Sequence, residues 1–375
     1  MRRTARPTFA LCYPGENPLA HFFRGDEMAR CAGLLFALLA SPVLAQPRFV
    51  LESTEVQTVE AVIRYQIEFN RFTADRWMIY LPRPPELPGQ LKVKASTTPA
   101  SKLLAEKSPL ARPVFFIDQR ASSPALARKI EVELKIEASL LSRKLVPVSG
   151  DAPAAKVPPL KEVERKYFTA SSTLVDFDTG LFREWMEKQK LKRQVGETDL
   201  ALAERVLEAI RTQFEYGFDS GLDQRASLAC SRNKADCGGM TFIFVGALRA
   251  NGIPARPLIG RMAKPRKPDS RPSDLEYDNP HVRAEFFVPD LGWVPVDPSA
   301  VQGNRKRTVA SFLGHDDGDF LVLHTDVDLM LPFRDRVERA GYMQVGPYYH
   351  AYGNGTFDAT FGPNGWSLKV IPAKK

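Results

Sequence analysis

The 375-residue chain is poor in cysteine, with four in all, too few for a disulfide scaffold. It has no Walker A loop, no glycine-rich dinucleotide fingerprint after a strand, no HExxH and no CxxC pair. Nucleotide and zinc chemistry therefore lack their usual signatures, and neither a cofactor nor a metal is expected. No internal repeat is present. Beyond residue 45 no stretch is long and apolar enough to span a bilayer. The basic excess is modest, 52 Lys and Arg against 44 Asp and Glu, or +8. Basic residues are not interleaved with aromatics, so a nucleic-acid partner is not expected, while an anionic cell-envelope polymer fits that surface equally well. With 44% hydrophobic and 26% charged residues the composition is globular, which excludes wholesale disorder, collagen and coiled coil.

Residues 1–27 show no apolar periodicity and read as an over-extended start. Met28 then opens MARCAGLLFALLASPVLAQ: one basic residue, a short apolar run and a small residue at Ala45. Residues 28–45 are the layout of a secretory signal peptide. The expected product is periplasmic or secreted, with no stable membrane insertion after cleavage. Cys12 and Cys31 leave with that segment, so Cys230 and Cys237 remain.

Residues 46–148 read as a β-sandwich domain with no helix between the strands. Gln57, Val59, Ala61, Ile63, Tyr65, Ile67 and Phe69 alternate with a polar face, and KIEVELKIEA from Lys129 to Ala138 alternates again. Residues 149–160 are a Pro-rich linker. Thr198 and Asp199 start a helix that continues as LALAERVLEAIRTQF. GGMTFIFVGALR, from Gly238 to Arg249, is apolar nearly all round and predicts a buried helix, ended at Asn251-Gly252 by a residue free to take positive φ. Strands follow near 255–260, 281–288, 293–297 and 320–323. Helices ahead of strands make the second half α+β.

Cys237 falls just before that buried helix, where unpaired N–H groups favour thiolate over thiol. Gly238 and Gly239 leave room beside the sulfur for a substrate carbonyl and a backbone oxyanion donor. A buried core cysteine or half of a disulfide with Cys230 fits these residues too. Downstream, His281 opens the strand HVRAEFFV, and GWVPVDP returns to Asp297, so both lie at the open end of one hairpin. A cysteine nucleophile needs a base, and the base needs a partner that orients its imidazole. A plain four-residue turn sets Asp297 opposite Ala284, about 10 Å from His281, so a bulge or strong twist must close the gap. Glu285 is the fallback partner.

DCGGMTFIFVGALRANGIPARPLIGR followed by HVRAEFFVPDLGWVPVDPS resembles the transglutaminase-like superfamily. The resemblance covers about residues 195–330. It implies a papain-like core with Cys, His and Asp in this order, mapping onto Cys237, His281 and Asp297. The implied architecture is α+β: a transglutaminase-like catalytic domain at 161–335 preceded by the all-β sandwich, with 336–375 an extension packing on the core. The implied activity is cysteine acyl transfer on a peptide or protein substrate, at peptide or isopeptide amides; the family includes proteases, amidases and crosslinkers, and hydrolysis is the reading preferred here over crosslinking. A non-catalytic binding or assembly module of the cell envelope is the competing class. Family members commonly carry an aromatic residue two after the His; here that residue is Arg283, which bears on the substrate groove and leaves the three residues intact. The sequence does not fix the oligomeric state.

A second oxyanion donor beside the Cys237 N–H is not identifiable; Gln224 lies upstream within reach, but reads first as a surface-loop residue. His315, His324 and His350 read as structural or exposed. Asp316, Asp317, Asp319, Asp326 and Asp328 have poor calcium-ligand spacing and read as turn residues. Met262 to Pro272, with Lys264, Arg266, Lys267 and Arg271, is a solvated loop, or alternatively a lid or a contact for an anionic substrate.

Overall fold

Period-two alternation builds the first strands. Val59, Ala61, Ile63, Tyr65, Ile67 and Phe69 are all buried, as are Ile130, Val132, Leu134, Ile136 and Ala138. Each Val, Ile or Leu so buried contributes roughly 1.5–3 kcal/mol. The computed structural model describes residues 48–148, 157–219, 221, 223–265, 279–303, 305–362 and 365–373. The expected start and signal segments, most of the linker and most of the basic loop lie outside the described residues.

The leading elements are β1 (Arg48–Phe69), β2 (Phe72–Pro82), β3 (Gln90–Thr98), β4 (Lys102–Ala105), β5 (Pro113–Arg120), α1 (Pro124–Arg128) and β6 (Lys129–Val148). There follow α2 (Glu162–Phe168), α3 (Gly180–Lys188), α4 (Asp199–Gln213), β7 (Glu215–Tyr216), α5 (Ala226–Ala229), β8 (Lys234–Ala235) and α6 (Cys237–Ala250). The rest is β9 (Ala255–Met262), β10 (Pro280–Val288), β11 (Gly292–Val296), α7 (Ala300–Gly303), β12 (Phe320–Thr325), β13 (Leu329–Phe333), β14 (Arg336–Ala340), β15 (Tyr348–Gly355), β16 (Ala359–Phe361) and β17 (Gly365–Pro372). The fold is mixed, with more strand than helix.

Two antiparallel sheets come first. One runs β16-β1-β6-β3, with β17 also on β1; the other runs β15-β2-β5-β4. They share one apolar core, in which Ile63 and Phe69 meet Trp77, Ile79 and Ile117. The strand-only reading of 46–148 missed α1. Pro124 opens it, the Ser123 hydroxyl caps the Leu126 N–H at 3.2 Å, and Trp77 Nε1 donates to the Leu126 carbonyl at 2.9 Å.

The C-terminal residues differ from the expected extension. β15 pairs with β2, and β16 and β17 pair with β1, so the tail supplies strands to both leading sheets. It covers edges that would otherwise present unpaired N–H and C=O groups. A partner some 290 residues away leaves no local mark in sequence, since alternation reports a strand and not its neighbour.

A third sheet runs β11-β10-β9-β12, and α6 packs across β9 and β10. Every residue of α6 from Cys237 to Arg249 is buried, as its all-round apolar character requires. Gly252 closes the helix at φ +75°. Leu321 and Leu323 of β12 belong to the core of the leading sheets, and Arg143 of β6 pairs backbone to backbone with Asp316. The described residues form one compact unit.

Candidate active site

Cys237 is the first residue of α6 and 9% exposed. Asp236 caps the helix, its Oδ1 accepting the Gly239 N–H at 2.9 Å. Burial pushes the Asp236 carboxyl up, against the pull of backbone N–H groups and the His281 charge. One turn along, the Thr241 hydroxyl donates to the Val282 carbonyl at 3.2 Å. That bond sets helix against strand and brings the start of α6 to the start of β10, where His281 stands.

His281 Nε2 lies 2.7 Å from Asp297 Oδ2. No bulge is needed between the two strands. The pairing runs unbroken from Val288↔Gly292 to Ala284↔Val296, one residue off the expected register, because Gly292 pairs and only three residues turn. Asp290 and Gly292 take positive φ there. The chain leaves β11 at Val296, and Asp297 folds back: its Oδ1 accepts Ser299 N–H at 3.1 Å, Ser299 Oγ–H at 2.8 Å and Ala300 N–H at 3.2 Å. Burial disfavours charge on both groups, yet each overrides it. The charge of Asp297, then that of Cys237, and the Asp297 hydrogen bond raise His281 to about 10. His281, Arg283 and Ser299 hold the Asp297 carboxyl well below the usual range.

The fallback partner Glu285 faces elsewhere. It is fully buried between Arg256, at 3.0 and 2.7 Å, and Arg143 of β6, at 2.7 Å. Arg143 thus anchors the leading sheets behind the His281 strand. Beside His281 and Asp297 opens a cavity of about 470 Å³, lined also by Arg283, Ser299, Gln302 and Lys264.

Two more residues join the site: Gln224, which the sequence read first as surface loop, and Tyr342, which it did not place there. Gln224 Nε2 donates to Asp236 Oδ2 at 2.7 Å, and the Tyr342 hydroxyl donates to Gln224 Oε1 at 3.2 Å. Gln224 is therefore half-buried at the helix start and not a surface-loop residue. It also fills the space expected beside Gly238, where a Cβ would come within 2.8 Å of Gln224 Oε1. Burial first, then the charges of Asp236 and Cys237, push Tyr342 up to about 12.

Cys230 is buried and unpaired, its thiol donating to the Ser227 carbonyl at 3.2 Å; Cys237 is also a free thiol. Burial pushes Cys230 up to about 12. The acids read as turn residues mostly meet arginines: Asp316 and Asp319 bind Arg283, and Asp326 binds Arg249. His324 is buried between the Asp326 carbonyl and the Met343 N–H, held neutral by burial, its pKa lowered to about 3.

The hairpin, the helix start and the turn between them lie in one segment with a known pattern. Residues 189–298 match the transglutaminase-like superfamily. A solved structure of a candidate cysteine protease from Cytophaga hutchinsonii superposes with a TM-score of 0.55 at 11% identity, over 87% of this chain and 94% of that one. The likeness in fold thus reaches beyond the transglutaminase-like segment. The periplasmic domain of TgpA from Pseudomonas aeruginosa gives a TM-score of 0.33 at 14% identity, over 66% of this chain and 88% of that domain. No curated protein matches the sequence.

Proposed function

We propose that this chain is an exported cysteine acyl-transfer enzyme acting on peptide or isopeptide amides, with hydrolysis as the outcome. The observation that carries the reading is the 2.7 Å contact of His281 with Asp297, at a histidine whose charged form the Cys237 charge at a helix start also favours. The fold neighbour described as a candidate cysteine protease supports hydrolysis over crosslinking. Export is supported by the signal-like segment at 28–45. Among the described residues no helix is long and apolar enough to cross a membrane.

The chemistry follows from the roles. The Cys237 thiolate attacks the amide carbonyl carbon, and a free N–H at the start of α6 serves as donor to the oxygen that gains charge. His281 gives its proton to the leaving nitrogen as the C–N bond breaks, leaving a thioester and a free amine. Water then attacks the thioester carbon, His281 takes its proton, and the C–S bond breaks to release a carboxylic acid. Asp297 orients the ring and stabilises its charged form.

Mass spectrometry of a peptide library incubated with the protein, with and without a primary amine, tests this. New carboxyl termini or deamidated side chains that need Cys237 are expected in both. Products carrying the added amine as the main species would replace hydrolysis by transfer. No Cys237-dependent product would favour the binding-module reading.

A further inference from the structure

Arg283 stands two residues along β10 from His281 and so shares its face of the strand. Its guanidinium is set among three carboxylates. Nη1 meets Asp316 Oδ1 at 3.1 Å, Nη2 meets Asp319 Oδ1 at 2.8 Å, and Nε lies 3.5 Å from Asp297 Oδ2. That last oxygen is the one His281 holds. The remaining contacts pin the group in place: Met262 Sδ at 3.5 Å from Nη2, and the Phe320 ring 4.9 Å from the guanidinium carbon. Asp316 also faces Arg143 at 3.5 Å, and Asp319 faces Lys264 at 2.5 Å. On the other flank His281 is near Cys237 and Asp236, and the His315–Asp317 pair lines the adjoining cavity.

A buried imidazolium held by one undivided carboxylate is a poor acid, because giving up its proton strands the carboxylate. A cation on the same oxygen divides that charge. We propose that Arg283 is a positioning residue for Asp297: its charge lies against the shared carboxylate oxygen, without a hydrogen bond to it, and withdraws part of that oxygen's charge from His281, so that the imidazolium can release its proton to a leaving amine. The role rests on the reading of Cys237, His281 and Asp297 given above. It also links the leading sheets to the site, since Arg143 of β6 meets Asp316, which meets Arg283.

Removing the cation exposes His281 to the full charge of Asp297 and to Asp316 and Asp319, all of which favour imidazolium. Removing Asp316 acts with the opposite sign. The test is an NMR titration of the His281 ring in the full chain carrying labelled histidine, its signal assigned by its loss in His281→Ala. Arg283→Gln is expected to raise the midpoint by about one pH unit. Arg283→Lys should leave it near the wild-type value, and Asp316→Asn should lower it. A loss of packing alone would not give opposite signs. Should Arg283→Gln fail to fold, Asp316→Asn still carries the test. An unmoved or lowered midpoint in Arg283→Gln, or a raised one in Asp316→Asn, overturns the role. Alkylation of wild-type Cys237 is measured alongside. An inert Cys237 with these shifts intact would refute the enzymatic reading while supporting the hold of Arg283 on Asp297.

Discussion

Thr241 donates its hydroxyl to the Val282 carbonyl at 3.2 Å, one turn after Cys237 on the helix and one residue after His281 on the strand. Both groups are buried. Thr241→Val keeps the shape and leaves that carbonyl unpaired, a loss of about 1–3 kcal/mol. The expected result is a lower urea midpoint together with slower alkylation of Cys237 under native conditions. Lowered stability with unchanged alkylation would mean that the bond does not set the helix against the strand.

The His281–Asp297 pair makes stability depend on pH. The histidine pKa is raised to about 10 and the aspartate pKa is lowered. A raised histidine contributes fully below its unfolded value and loses that contribution as pH climbs through about 10. A lowered aspartate contributes fully above its unfolded value, about 3.9, and loses it as pH falls. One ion pair underlies both, so its contribution is greatest between about pH 4 and 6.5. Asp297→Asn should therefore destabilise most in that window and progressively less toward pH 10. Urea unfolding of both proteins across pH 5–10 checks this; a difference that widens with rising pH contradicts it.

Glu285 balances two buried arginines from two strands of different sheets. Glu285→Ala leaves both charges without their shared partner, and a loss of about 3–5 kcal/mol is expected. Because Glu285 does not touch His281, Cys237 should keep its alkylation rate well below the new unfolding midpoint. Abolished reactivity in protein that remains folded would return Glu285 to the site.

Gly238→Ala separates helix stability from site geometry. Alanine favours the helix by about 1 kcal/mol over glycine. Its Cβ would sit 2.8 Å from Gln224 Oε1, forcing the Gln224 side chain off Asp236 and Tyr342. Stability is expected to hold while Cys237 alkylation slows several-fold, with Gln224→Ala giving a similar slowing. Normal alkylation in both variants would remove Gln224 from the site.

What could be read from the sequence was local. Alternation in β1 and β6, the Thr198 cap of α4, the apolar run of α6 and the hairpin around Gly292 each rest on neighbours a few residues apart. The turn length was misjudged by one residue, since Gly292 looks like a turn residue yet pairs with Val288. What escaped is held by distant partners. Gln224 meets Tyr342 across 118 positions, Arg143 meets Glu285 across 142, and the tail closes sheets begun 290 residues earlier. A lone Gln or Arg has no period to announce its partner. Arg283 did stand out, as a charge where the resemblance expects an aromatic ring, and only the geometry shows it on Asp297.

The central claim is that His281, supported by Asp297, activates Cys237. Labelling with an electrophilic thiol probe at neutral pH, read by mass spectrometry of the Cys237 peptide, tests it most directly. Wild type should label rapidly and Cys237→Ala not at all at that peptide, with Cys230 unlabelled in both. His281→Ala should label at least tenfold more slowly, a difference of about 1.4 kcal/mol in barrier. Equal labelling of wild type and His281→Ala would contradict the account.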